Sequence, residues 1–138
     1  MARTAPYPLA WTAAALLSAA CGGRFERGSP LVLGPIVDVV SPGEPAPLAF
    51  SRREVTCLLR NDSDQAVEIR RLRPTVSTTV SSDRGLPPFV VPPGGSVLLS
   101  IRASNHDPEP RTRRVEIEFE GGAAMILVPV DAAPRKSG

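Results

Sequence analysis

Downstream of residue 30, apolar and polar residues alternate in short runs that turn-forming residues separate. The runs "EVTCLL", "SVLLSIRAS" and "RRVEIEFE" each place an apolar residue at every second position. A period of two predicts strands that bury one face and expose the other. The glycine pair at 121–122, between "RRVEIEFE" and "AAMILVPVDA", predicts a hairpin turn that joins the last two strands.

Other segments complete the predicted strand pattern. "LVLGPIVDVV" predicts a first strand or strand pair with a break at Gly34-Pro35, and "NDSD" at 61–64 predicts a tight turn. "TVSTTVSS" is rich in β-formers but polar, which predicts an edge or sheet-switching strand, and "FVV" between two proline pairs predicts another short edge piece. Seven or so strands spaced by about 8–12 residues predict an all-β fold, a single Ig-like β-sandwich over residues 31–131, followed by a polar tail over 132–138.

Residues 1–20 predict an export signal. Arg3 precedes the apolar run "PLAWTAAALLSAA", whose length is that of a helical signal peptide core of roughly 7–15 residues. The run falls short of the ~20 residues that a membrane-spanning helix needs. Small residues lead up to Cys21, and the segment 21–30 predicts a Gly-rich polar tether between that cysteine and the folded domain.

The stretch before Cys21 resembles a bacterial lipoprotein signal, in which a leucine and two small residues precede a cysteine that becomes lipidated. Ala19 and Ala20 match, while Ser18 stands at the leucine position. The resemblance implies acylation of Cys21, and more than one acyl chain is what stable anchoring requires. Ser18 to Ala20 also fit ordinary signal peptidase, which would release a soluble protein, and an uncleaved cytoplasmic form is the third alternative.

Composition narrows the classes of function. Charged residues are 22% of the 138 residues and the formal net charge is +2, which argues against the concentrated basic face of a nucleic-acid binder. Trp11 and Tyr7 both lie in the leader, so the core of the domain has to consist mainly of Val, Leu and Ile. Such a composition favours strands.

The segments "TCLLRNDSDQAVEIRRL" and "VVPPGGSVLLSIRAS" resemble a bacterial family of Ig-like domains of unknown function, related to the ASH, major-sperm-protein and hydin-type modules. The resemblance covers roughly residues 34–131 and includes the closing pair "VEIEF" and "MILVPV". It implies the fold and almost nothing about function. The family often carries a Cys-x-Cys pair where this chain has "TVSTTVSSD", so no metal or redox role is carried over. The positions that match the family pattern are Asn61, Asp64, Val67, Glu68, Ile69, Pro93, Gly94 and Gly95.

No residue pattern predicts catalysis, a metal site or a cofactor. The single histidine, His106, lies in the Pro-flanked loop "SNHDPEP", where a solvated turn is the expectation. Cys57 alternates with apolar neighbours, so we expect a buried core thiol, which could pair with Cys21 only if Cys21 is not lipidated. "NDSD" lacks the ligand spacing of a calcium loop.

Three short basic clusters, "RREV", "RRLR" and "RTRR", have two interpretations. They are solvent-facing strand ends that oppose edge pairing, or they form a shared basic patch for anionic lipid or an acidic partner. Taken together, the sequence predicts a non-enzymatic lipoprotein of the cell envelope. Membrane lipid, through Cys21, and an envelope protein are its expected partners. The alternatives are a secreted soluble Ig-like protein and a cytoplasmic ASH-like scaffold.

Overall fold

The computed structural model describes residues 21–39 and 50–134, and within those residues every regular element is a β-strand. The predicted signal peptide and its helix lie outside the described residues. The nine described strands are β1 (Gly22–Phe25), β2 (Leu31–Val39), β3 (Ser51–Asn61), β4 (Val67–Pro74), β5 (Thr78–Ser82), β6 (Phe89–Val91), β7 (Ser96–Asn105), β8 (Arg111–Phe119) and β9 (Gly122–Val130).

The strands form two antiparallel sheets around one core. The first sheet has the order β1-β9-β8-β4-β6 and the second has the order β2-β3-β7-β5. Alternate residues of both sheets point into the shared core, as the period of two predicts. The prediction of an all-β fold is therefore confirmed. The largest fully buried side chains are those of Leu31, Leu59, Ile69, Leu99, Ile101, Ile117, Ile126, Val55, Val91, Val97, Val115 and Val128.

Strand β1 departs from the sequence prediction of a free tether over 21–30. Gly22–Phe25 pairs with β9, from Gly22 opposite Leu127 to Phe25 opposite Ala124. A side chain at Gly23 would lie 2.9 Å from Leu33 Cδ2, so the missing side chain lets β2 approach closely. The glycines therefore form a thin edge strand, and the strand total exceeds the predicted seven or so.

Local irregularities fall where the sequence places turn residues. The β2–β3 register shifts between Leu33 and Ile36, at the predicted Gly34-Pro35 break. The β8–β9 hairpin is confirmed, although Phe119 pairs with Gly122, so Glu120 and Gly121 form its turn rather than the two glycines. Gly121 has a φ of 95°, a conformation that glycine adopts without steric cost. β5 and β6 each end a sheet, which confirms both edge predictions.

Candidate functional site

Cys21 lies immediately before β1 and faces the space between the two sheets. Its side chain is half-buried and packs against the hydrophobic core, and alternation places it on the same face as Phe25. Burial raises the pKa of the Cys21 thiol, with the negative charge of Asp38 acting in the same direction and the positive charge of Arg53 acting against it. A free thiol here is a weak nucleophile at neutral pH.

Arg53, close to Cys21, binds Asp38 within its own sheet and also reaches the other sheet. Arg53 Nε donates to Asp38 Oδ1 at 2.9 Å and Arg53 Nη2 donates to Asp38 Oδ2 at 3.1 Å, which is a two-point contact between β3 and β2. Arg53 Nη1 donates to the carbonyl of Pro129 in the other sheet at 2.9 Å. The two hydrogen bonds that Arg53 donates to Asp38 lower the pKa of the Asp38 carboxyl. The guanidinium thus fixes the corner where Cys21 lies.

Cys57 is the buried core residue that the sequence predicts. It is 1% exposed on β3, and burial raises the pKa of its thiol to about 11, with a smaller contribution from Cys21. Both cysteines are free thiols in the structure. Because a thiolate is the reactive form, Cys57 is chemically inert in the folded domain.

Acylation of Cys21 sets a structural requirement. A lipid on the sulfur cannot enter a close-packed core, so the side chain has to turn outward past the edge between β1 and β2. The first paired residue of β1 is Gly22, so this rotation breaks none of the β1–β9 pairs. The fold thus permits a lipid at Cys21 without loss of the edge strand.

The second candidate feature is the open edge at β5. Within the described residues, the four strands that end a sheet are β1, β2, β5 and β6. β1 is short and Gly-rich, β2 contains the irregularity at Gly34-Pro35, and three-residue β6 lies between proline pairs. Each of these devices opposes pairing with a further strand. β5 has none of them, since "TTVSS" is uncharged and pairs with β7 without a register shift.

Within residues 21–39 and 50–134, the backbone of β5 has groups on its outer side that no other strand pairs with. Ser104 N donates to the Ser77 carbonyl at 2.9 Å, and Asp83 N donates to the Leu98 carbonyl at 3.1 Å. The backbone N–H and C=O groups of the odd-numbered residues therefore face β7, and alternation directs those of Thr78 and Val80 away from it. At Ser82 only the N–H is left over, because the carbonyl accepts a hydrogen bond from Gly85 N at 3.2 Å. These are the groups that an added partner strand would bind.

The two features lie on opposite sides of the domain. β1 packs against β2, and β5 packs against β4, so Cys21 and the β5 edge occupy opposite margins of the paired sheets. A lipid at Cys21 would leave the β5 edge uncovered.

His106 lies exposed at the end of β7, and the nearby Ser104 and Asp107 bind other residues instead of it. Its ring contacts Phe50, with centroids 5.0 Å apart and planes at 33°. The Asp107 carboxylate accepts a hydrogen bond from Arg111 Nε at 2.7 Å, and the Ser104 hydroxyl donates to the Ser77 carbonyl at 3.5 Å. Within residues 21–39 and 50–134, no cluster of His, Cys, Asp and Glu could hold a metal ion.

Buried Asn61 organises the predicted "NDSD" turn. Its Nδ2 donates to the carbonyls of Gln65 at 2.8 Å, Val91 at 3.0 Å and Pro92 at 3.3 Å. Its Oδ1 accepts from Ser63 N at 3.0 Å and from Ser63 Oγ at 2.7 Å. The side-chain oxygens of Asn61 and Ser63 thus belong to one hydrogen-bond network, through which Asn61 holds the chain at this turn.

Asn105, at the opposite end of the domain, has the same role and was not predicted from the sequence. Its Nδ2 donates to the carbonyls of Glu109 at 2.8 Å and Asp131 at 2.9 Å, and its Oδ1 accepts from Asp107 N at 2.9 Å. The available signal is the shared pattern of a strand-ending Asn followed by Asp within two residues. Asn in this setting commonly bonds the backbone two residues on.

The basic clusters lie on inner strands, so they do not protect sheet edges as one interpretation proposed. They occur on β3, β4 and β8, and most of their arginines contact a carboxylate or a carbonyl. Examples are Arg73 with Glu118 at 3.6 Å and Arg113 Nε with the Ser104 carbonyl at 3.0 Å. The carboxylates beside several of these arginines reduce the local positive charge.

In the part of the chain that the structure describes, no helix is long and apolar enough to cross a bilayer. Comparison of the chain with protein-family models, with curated proteins and with solved structures gives no match.

Proposed function

We propose that this protein is a non-enzymatic lipoprotein of the cell envelope. Cys21 carries the lipid, and an Ig-like β-sandwich binds an envelope protein by adding a strand of that partner to the β5 edge. The observation that supports this proposal best is the opposition of Cys21 and the unprotected β5 edge across the domain. The lipoprotein-like residues before Cys21 support the anchor, and the two antiparallel sheets around one core support the Ig-like assignment.

Fatty-acid incorporation tests the anchor. The full chain is expressed in a bacterial host fed an alkyne-bearing fatty acid, together with the variants Cys21→Ser and Cys57→Ala. We expect label on the wild type and on Cys57→Ala, and none on Cys21→Ser, because only Cys21 follows the signal. Equal labelling of Cys21→Ser, or no label on the wild type, would refute the anchor.

A matched pair of substitutions at Val80 tests the edge. Val80→Pro removes an N–H that points away from β7, so every β5–β7 bond remains, whereas Val80→Ala keeps the N–H and shortens the side chain. Affinity capture from solubilised envelope should retain the partner with wild type and Val80→Ala and lose it with Val80→Pro. A partner that all three proteins retain equally would place the contact elsewhere.

The second candidate function is a secreted soluble Ig-like protein, cleaved after Ala20. The observation that favours it is the inward-facing, half-buried thiol of Cys21, which needs no rotation if the sulfur is unmodified. This alternative predicts that the protein stays in the aqueous phase and that Cys21→Ser has no effect on its location. Detergent-phase partitioning of the two proteins separates the alternatives.

A further inference from the structure

The two sheets end together at the margin that β5 forms. β5 is the last strand of the second sheet, and it lies against β4 of the first sheet. β6 extends the first sheet beyond β4, but it pairs only with the stretch from Val67 to Ile69. Within residues 21–39 and 50–134, no further strand therefore lies beside β5 or beside Leu72 of β4.

Apolar side chains line this margin. Leu72 and Val80 pack against the buried core, yet each stays partly exposed to solvent. Val80 stands opposite buried Ile101 of β7, so its side chain belongs to the inner face of β5. Val76, which precedes β5, is 71% exposed. We call Leu72, Val76 and Val80 the open seam.

A strand added to β5 would bring its own side chains to the open seam. The backbone N–H and C=O groups of Thr78 and Val80 point away from β7, and an antiparallel partner strand bonds to them through the residues directly opposite. Those partner residues share the inner face with Thr78 and Val80, while the residue between them lies beside exposed Thr79. Apolar side chains suit the two inward positions, because burial of a polar group costs free energy unless it is hydrogen-bonded.

The connection that follows β5 limits the length of the added strand. Gly85 N donates to the Ser82 carbonyl at 3.2 Å, and Ser82 Oγ donates to the Gly85 carbonyl at 2.7 Å, so the chain folds back at Ser82. The stretch with both backbone groups available is therefore the short one from Thr78 to Val80. Two inward residues and one outward residue of a partner match it.

We infer that the segment bound at the β5 edge is short, extended and apolar at alternate positions, and that its inward side chains cover the open seam. This inference rests on the strand addition of the proposed function and adds the chemistry of the partner. The backbone groups of β5 hold the segment, and Leu72 and Val80 select its side chains.

Peptide binding to the full chain, purified in detergent, tests the side-chain chemistry. The probe is a fluorescent peptide that alternates threonine with valine and carries a lysine at each end for solubility. Its control has threonine in place of every valine, which keeps the shape and the preference for strands but replaces a methyl group with a hydroxyl. We expect the valine peptide to bind about tenfold more tightly in fluorescence anisotropy, since two inward methyl groups are buried.

Backbone methylation of the valine peptide tests the edge separately. Methyl groups on the valine nitrogens remove the N–H groups that face β5 and should abolish binding. Methyl groups on the threonine nitrogens face solvent and should leave binding unchanged. In the protein, Val80→Thr keeps the backbone of β5 and should weaken binding several-fold. Val37→Thr, the matched change on β2 at the other margin, where Val37 is 57% exposed, should have no effect.

The possible failures are distinguishable. Equal affinity of the valine and threonine peptides, with both lost on methylation of the inward nitrogens, would overturn the apolar segment and leave strand addition standing. Equal binding of the two methylated valine peptides would overturn strand addition as well. Failure of every peptide to bind would overturn the apolar segment, and the capture experiment with Val80→Pro then decides whether the edge binds a partner. A dimer of the protein alone that Val80→Pro dissociates in sedimentation would make a second copy the occupant and overturn the inference.

Discussion

Replacement of Asn61 by alanine should be among the most destabilising single changes in this domain. The side chain is fully buried and its amide donates to three carbonyls, of which that of Val91 is buried. A buried polar group left without its partner costs ~1–3 kcal/mol, while partly exposed groups recover bonds to water. Taking the upper part of that range for Val91 and less than 1 kcal/mol for the others gives a loss of about 3 kcal/mol of unfolding free energy.

Urea unfolding followed by far-ultraviolet circular dichroism measures this loss. For a domain of about 100 residues, ~3 kcal/mol also corresponds to a fall in Tm of roughly 15 °C. Ser63→Ala is the control, because Ser63 is partly exposed and its hydroxyl lies at the rim of the same network, so we expect under 1 kcal/mol. Asn61→Asp, of equal shape, should destabilise at least as much as alanine, because a carboxylate would face carbonyl oxygens. A loss below 1 kcal/mol for Asn61→Ala would refute the network as a structural element.

Three further predictions concern the corner around Cys21. Asp38→Asn should lower stability by under ~1 kcal/mol near pH 7, since Asp38 is 52% exposed. Arg53 depresses the folded pKa of Asp38, so this stabilisation is present above the unfolded value of about 3.9 and should vanish in urea titrations as pH falls through the folded pKa. The Cys57 thiol, with a pKa of about 11, should react with a disulfide reagent at pH 8 only after unfolding, and fast reaction of the native protein would contradict its burial. Gly23→Val should cost about 1–3 kcal/mol by overpacking against β2, whereas Gly22→Val, with open space at its Cβ, should be neutral; equal effects would mean that β1 is unpaired.

The alternation of apolar and polar residues predicted most of the strands, because a strand that buries one face and exposes the other needs that alternation. The runs around Cys57, Leu99 and Ile117 became inner strands with their apolar residues in the core. The proline pairs predicted that β6 is an edge strand, and the polar, uncharged run predicted the same of β5. Both features are tolerated where one side of a strand lacks a neighbour.

What the sequence did not predict depends on contacts between distant residues. Gly22–Phe25 has no alternation of its own and becomes a strand only because β9 offers an edge and Gly23 permits the approach of Leu33. The Arg53–Asp38 pair joins residues 15 apart, and no local pattern marks it. Asn105 was missed because its carbonyl partners, Glu109 and Asp131, belong to segments that only the fold brings together. The inward orientation of Cys21 likewise emerges only from the pairing of β1.

The proposed function requires that the mature protein begins at Cys21 and carries lipid there. Intact-mass spectrometry of the protein extracted from native membranes, with fragmentation from the amino terminus, measures this directly. We expect the first residue to be Cys21, with its mass increased by acyl chains on the sulfur and the amino group. A chain that begins at Met1, or an unmodified Cys21 at the amino terminus, would contradict it.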